Sequence, residues 1–302
     1  MLIDNLIESI KKKQNPGIVG IDPDWEKLPV CYYTVSNEKT ECILQWGKDV
    51  IDSICDIVPV VKPQSAFYEV YGSKGIEALE ATISYAHEKG LIVINDCKRN
   101  DIGNTAKAYA KALLNPDNCE NADFITVSPY LGRESILPFF ETAIQNDRGV
   151  FLVVKPSNPG SGEISEAVTL SGKMVYEELA EYISTNSTST IGLSGYSALG
   201  AVVGATYPEI ATKLRVFMPH NLFLVPGYGA QGGNAASVIP CFNSDGLGAL
   251  VSSSRGVLYS YGANIFYEGS RSMYKEIVRN SALKMRSEIY STLKENCKNM
   301  KY

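Results

Sequence analysis

Eight short apolar runs punctuate the chain, each ending in a polar or glycine-rich stretch: residues 17–22, 58–63, 91–98, 124–128, 150–155, 201–205, 222–226 and 249–253. Within them Val, Ile and Leu follow one another almost without interruption. A strand with one face in water alternates, so these runs read as strands covered on both faces, as in a parallel sheet with helices on either side. Between the runs the period lengthens. Residues 73–89 carry Ile76, Leu79, Ile83 and Ala86 at helical spacing, residues 104–114 form another helix candidate, and residues 268–300 are long enough for one closing helix or two. Eight βα units in one chain point to an α/β protein built as a closed (β/α)8 barrel, the TIM barrel, with an open doubly wound sheet as the alternative.

The first residues place Leu2, Ile3, Leu6, Ile7 and Ile10 on one stripe, with Asp4 and Glu8 between them and Lys11, Lys12 and Lys13 after. This spacing predicts an amphipathic helix over about 1–14 with a basic C-terminal end. A signal peptide carries its charges before the apolar stretch, not after it, and no segment reaches the roughly 18 apolar residues of a membrane span. A cytoplasmic protein without membrane contact is expected. One region breaks the rhythm: residues 157–200 open with Ser157, Asn158, Pro159, Gly160, Ser161 and Gly162 and end in a Ser/Thr-rich stretch. An insertion after the fifth strand of a barrel stands on the ligand-binding face, where it is either a lid or inert. With no repeat and no linker, residues 1–302 read as a single barrel domain.

Composition narrows the classes of function. Hydrophobic residues make up 45% of the chain, enough for a large core and too many for disorder. Lys and Arg number 28 against 33 Asp and Glu, a formal net charge of −5 that favours neither nucleic acid nor an anionic membrane. The seven cysteines include no CxxC pair and read as reduced thiols, and two histidines are too few for a histidine-built metal site.

The richest segment for chemistry runs from Asn95 to Thr105, Asn-Asp-Cys-Lys-Arg-Asn-Asp-Ile-Gly-Asn-Thr, at the end of the third run. Asp96 and Lys98 are two apart, so a strand points both toward the mouth of the barrel. Asp101 lies beyond the strand, and Thr105 shares its face if the next helix has begun. Lys62 ends the second run and would neighbour Asp96. The plain alternative is a solvated strand end whose charges pair with one another. After the seventh run, Gly227-Tyr228-Gly229-Ala230-Gln231-Gly232-Gly233 matches the dinucleotide pattern GxGxxG in form only, being far from the chain start and without an acidic partner downstream. Glycines after the seventh strand of a barrel fit a phosphate site instead, and Arg255 after the eighth supplies a bidentate cation.

These motifs together resemble those of the orotidine 5′-phosphate decarboxylase family over nearly the whole chain, and the length and the insertion resemble its longer branch, found in some bacteria and parasites. The marks are Lys62, Asp-x-Lys-x-x-Asp-Ile-x-x-Thr from Asp96 to Thr105, Pro-Gly-x-Gly-x-Gln ending at Gln231, and Arg255, with similar stretches at Gly20-Ile21-Asp22-Pro23-Asp24 and Val154-Lys155-Pro156-Ser157-Asn158-Pro159. The resemblance implies conversion of orotidine 5′-phosphate to uridine 5′-phosphate and carbon dioxide, the last step of pyrimidine nucleotide synthesis, without metal or organic cofactor. It implies that Asp96 faces the substrate carboxylate, that Lys98 stabilises and protonates the carbanion at C6, and that Lys62 and Asp101 complete a Lys-Asp-Lys-Asp array. It further implies a homodimer with shared sites, Asp101, Ile102 and Thr105 being given to the partner. Asp22 and Thr105 would hold ribose hydroxyls, Ser157 the pyrimidine, Gln231 and Arg255 the phosphate, with Gln64 near a ribose-contacting amide. Two competing readings remain: a magnesium-dependent sugar-phosphate enzyme on the same scaffold, which places an acid where Lys62 stands, and a nucleotide-binding barrel without turnover.

Overall fold

The computed structural model describes residues 1–117, 122–229, 233–261, 267–297 and 299–301. Eight parallel strands pair in chain order: β1 Gly17–Ile21, β2 Val60–Pro63, β3 Ile92–Arg99, β4 Phe124–Val127, β5 Gly149–Lys155, β6 Ser197–Val203, β7 Asn221–Val225 and β8 Ala249–Ser253. The ring closes where Gly17 and Val19 of β1 pair with Val251 and Ser253 of β8, which excludes the open sheet. The helices are α1 Leu2–Lys13, α2 Lys39–Ile54, α3 Ala66–Glu69, α4 Ser73–Glu88, α5 Gly103–Leu114, α6 Arg133–Gln145, α7 Gly162–Ser165, α8 Val175–Asn186, α9 Pro208–Phe217, α10 Ala235–Val238, α11 Arg255–Leu258 and α12 Arg271–Asn296.

The largest difference in strand bounds from the sequence reading has an identifiable reason. β6 begins at Ser197, four residues early, because Ser197, Ala198 and Gly200 carry no β-branched signal. Ala198 and Gly200 face the barrel interior, which leaves little room: a Cβ on Gly200 would lie 2.7 Å from the Phe151 ring and 2.5 Å from the Leu222 carbonyl oxygen. Of the one or two helices expected in residues 268–300, the described residues hold one, α12, which the Ser270 side chain caps by accepting from the Met273 N–H at 3.3 Å.

The apolar side chains form two clusters. The larger lies between the strands and the surrounding helices. The other fills the barrel with Ile18, Val60, Ile94, Phe124, Phe151, Ala198, Leu222 and Leu250, and continues into Leu2, Ile3, Leu6, Ile7 and Ile10 of α1. Polar contacts fix α1 across the N-terminal end of the barrel. Asp147, just before β5, accepts from the Leu2 N–H; Asp4 accepts from the Ser194 N–H; and Lys13 donates to the carbonyls of Cys55 and Val58. Burying five aliphatic side chains there contributes on the order of 10 kcal/mol as an upper estimate. The C-terminal end is thereby left as the open face.

At that open rim the ladder is irregular in two places, between Asn95 and Arg99 of β3 and between Val153 and Lys155 of β5. Bulges of this kind turn a side chain away from its regular direction. Each of these turns a lysine, Lys98 or Lys155.

Candidate active site

Side chains alternate along each strand, so apolar residues that fill the barrel are followed two positions on by those facing its mouth. On β2, β3 and β4 these are Lys62, Asp96 and Thr126; on β6, β7 and β8 they are Val202, Leu224 and Ser252. Together with loop residues they line a cavity of about 400 Å³. One wall therefore carries the charges, and the other is mainly apolar with one hydroxyl, that of Ser252.

Asp96 is the centre of the charged wall. Its Oδ2 accepts from Lys62 Nζ at 2.7 Å and Gln64 Nε2 at 3.3 Å, and its Oδ1 accepts from Lys98 Nζ at 2.6 Å and Thr126 Oγ1 at 2.9 Å. Burial alone would push this carboxyl up, but the Lys62 and Lys98 ammonium groups overcome the penalty and hold it well below the usual carboxylate range. Lys62 is likewise buried, which opposes its charge, yet the charges of Asp96 and Asp22 keep its ammonium above the usual lysine range. The side chain of Lys98 is 47% exposed and reaches into the cavity mouth. Strict alternation, the reason given by the sequence for pairing Asp96 with Lys98, does not hold here. Lys98 sits in the left-handed region at φ 43° inside the β3 irregularity, and the two side chains meet because of that bend.

The expected site residues fall into three groups. Lys62, Asp96, Lys98, Asp22, Ser157 and Arg255 all line the one cavity. Asp22 Oδ1 is buried with no hydrogen-bond partner among the described residues. Ser157 follows β5 and packs against Gly204, where a Cβ would come within 2.7 Å of the serine Cα. Arg255 begins α11 and is exposed. Asp101, Ile102 and Thr105 lie apart from the cavity at the start of α5: Asp101 Oδ1 accepts from the Ile102 N–H at 2.8 Å, and Ile102 is 52% exposed. Among the described residues of the single chain the array is thus Lys-Asp-Lys, with Lys98 paired to Asp96. Gln231 lies outside the described residues. Gln64 bonds Asp96, an arrangement the sequence reading did not foresee.

Three further residues organise the site without having been singled out. Thr126 bridges Asp96 and the Lys98 main chain, its Oγ1 accepting from the Lys98 N–H at 2.9 Å. Tyr259, behind α11, donates to the Asp22 carbonyl at 2.8 Å and accepts from the Asp24 N–H at 3.3 Å, tying the loop that carries Arg255 to the loop that carries Asp22. Lys155 is fully buried; its Nζ donates to Ser161 Oγ and Ser165 Oγ at 3.1 Å and to Glu166 Oε1 at 2.5 Å, and lies 4.2 Å from the Tyr207 ring centroid. That hub fixes the segment after Ser157. For Thr126 the only signal was a polar residue in the apolar run 124–128; for Lys155 it was a lysine at a strand end.

Residues 18–261 match the model of the orotidine 5′-phosphate decarboxylase / HUMPS family. The chain is 41% identical over 281 residues to the orotidine 5′-phosphate decarboxylase of Rhodopirellula baltica, covering 90% of this chain and 93% of that one. It is 38% identical over 293 residues to that of Clostridium acetobutylicum, covering 97% of this chain and all of the other. Its fold is similar to that of Leishmania donovani OMP decarboxylase, with a TM-score of 0.75 at 28% identity, over 97% of this chain and 98% of that one.

Proposed function

The chain belongs to the orotidine 5′-phosphate decarboxylase / HUMPS family, and we propose on that premise how its cavity carries out the reaction. The enzyme is a carboxy-lyase that converts orotidine 5′-phosphate to uridine 5′-phosphate and carbon dioxide, the last step of UMP synthesis. The observation that carries the residue assignment is the Lys62–Asp96–Lys98 cluster lining the cavity, with Lys98 Nζ held 2.6 Å from a buried carboxylate.

Breaking the bond from C6 to the carboxylate leaves an electron pair in the plane of the pyrimidine, where the ring π system cannot take it up. A cation fixed beside C6 stabilises that pair without reorganising during the reaction. Lys98 is that cation. Carbon dioxide leaves, the pair on C6 takes a proton from Lys98 Nζ, and the neutral amine regains a proton from water. Asp96 faces the departing carboxylate as a full negative charge, its lone pairs already engaged by four side-chain donors. Lys62 neutralises the buried carboxylate from the far side. Asp22 accepts from a ribose hydroxyl, Ser157 contacts the pyrimidine, and Arg255 with Gln231 holds the phosphate, whose binding energy aids catalysis at the remote centre.

In this reading the functional unit is a cytoplasmic homodimer of single-barrel chains belonging to the longer branch of the family. Half-buried Asp101 and exposed Ile102 and Thr105, which lie outside the cavity lining, are presented to the partner's site, where Asp101 completes the charge array and Thr105 meets the ribose. The magnesium-dependent alternative is disfavoured by Lys62, whose ammonium occupies the Asp96 oxygen that a divalent cation would need. The test is to incubate the protein with orotidine 5′-phosphate in excess chelator and follow the ultraviolet absorbance. Full turnover to uridine 5′-phosphate is expected. Activity that disappears with the chelator and returns with magnesium supports the sugar-phosphate reading, and binding without turnover supports the nucleotide-binding one.

A further inference from the structure

Thr126 is fully buried on β4, and its hydroxyl touches both halves of the charged pair. The direction of each bond is dictated by its partner. The Lys98 main-chain N–H can only donate and the ionised Asp96 carboxylate can only accept, so a lone pair of Thr126 Oγ1 takes the first and its single proton goes to the second. A polarised relay results, from the lysine backbone through the hydroxyl to the carboxylate that also binds the lysine side chain.

The Lys98 backbone explains why a relay is needed there. At φ 43° a non-glycine residue is sterically strained, its Cβ crowding the backbone carbonyl. Glycine would relieve it, but only a long cationic side chain reaches the reacting carbon. The regular ladder between β3 and β4 is interrupted between Asn95 and Arg99. The Lys98 N–H is bonded instead to the threonine side chain. Removing the hydroxyl orphans that N–H and frees one position on Asp96 Oδ1, and the bend has less to hold it.

We propose that Thr126 is a positioning residue for decarboxylation: its hydroxyl locks the Lys98 backbone in the left-handed bend and orients Asp96, so that the ammonium is in place before substrate arrives. This rests on Lys98 being the group that acts at C6.

The experiment compares Thr126→Val, which keeps the branched shape and removes the hydroxyl, with Thr126→Ser, which keeps the hydroxyl, alongside Lys98→Ala. Misplacement by about 1 Å of a preorganised group costs up to about a hundredfold. The valine variant is therefore expected to lose about ten- to a hundredfold in kcat, while KM and the affinity for uridine 5′-phosphate stay within about threefold, and serine is expected to restore kcat to within about threefold of wild type. A merely structural threonine would instead lower the melting temperature and weaken nucleotide binding in step with kcat. The inference is overturned by a valine variant with kcat within twofold of wild type, by equal losses in valine and serine, or by a loss confined to KM. If the valine variant does not fold, Thr126→Ala replaces it under the same criteria. An active wild type with full kcat in Lys98→Ala overturns the reading of Lys98 itself, a different failure from an inactive Lys98→Ala beside a fully active Thr126→Val.

Discussion

Replacing Lys98 with alanine removes the cation that meets Asp96 Oδ1 at 2.6 Å and opens to the cavity. Lys98 is half exposed, so a solvent-screened dielectric is appropriate: at an effective value of about 20, unit charges about 4 Å apart interact by roughly 4 kcal/mol. At about 1.4 kcal/mol per decade, losing that interaction in the transition state alone slows kcat by about a thousandfold, and losing the proton donor slows it further. The ground state responds differently to different ligands. Asp96 keeps Lys62, Gln64 and Thr126, so the cavity retains its shape, but with one cation fewer it repels a second carboxylate more strongly. Orotidine 5′-phosphate should therefore bind more weakly to Lys98→Ala, whereas uridine 5′-phosphate, which lacks the carboxylate, should bind within a few-fold of wild type. Stopped-assay turnover and calorimetric titration with both nucleotides separate these effects. A kcat within tenfold of wild type refutes the assignment of the carbanion-stabilising charge to Lys98.

The other expectations concern the phosphate, the dimer and pH. Arg255→Ala should lower kcat/KM by at least about a hundredfold, since a bidentate charge-assisted contact contributes several kcal/mol, and added guanidinium should restore part of it; an unchanged kcat/KM places the phosphate elsewhere. Random mixing of Lys98→Ala with Asp101→Ala chains should recover about a quarter of wild-type activity, as half the dimers carry one intact site; no recovery contradicts the shared site. Asp96 is depressed in the folded protein, so its ionised form stabilises the fold above the ordinary carboxylate pKa of about 3.9, and this contribution fades as pH falls through the depressed value. Lys62→Met takes away one of the two cations that oppose the effect of burial, so the acid limbs of kcat/KM and of the melting temperature should both move to higher pH; profiles that superimpose on wild type show that Lys62 does not set the charge of Asp96.

Much of the barrel could be read from the sequence because parallel strands covered on both faces leave an unbroken apolar signature, as in residues 91–94 and 249–251. The signature failed where the interior demanded small residues, at Ala198 and Gly200. Lys62, Asp96 and Lys98 were legible as strand-end charges, and the structure does bring them together. Their geometry was not legible, since the left-handed turn at Lys98 depends on a hydroxyl from the neighbouring strand, a contact between residues with no sequence relation. Lys155 illustrates the same limit. Nothing local distinguishes a solvated lysine from one buried among Ser161, Ser165, Glu166 and Tyr207, because the acceptors come from loops folded back over it.

The closure between β1 and β8 has a consequence for how the molecule comes into being. β1 meets β2 early, but its other edge waits for residues near the far end of the chain, Val251 and Ser253 among them. A nascent polypeptide leaving the ribosome therefore carries an open strand edge until the eighth strand has been synthesised, the condition under which partly folded chains adhere to one another. Slow translation of the last third, or a shortage of chaperones, should lower the yield of native enzyme more than its melting temperature would suggest.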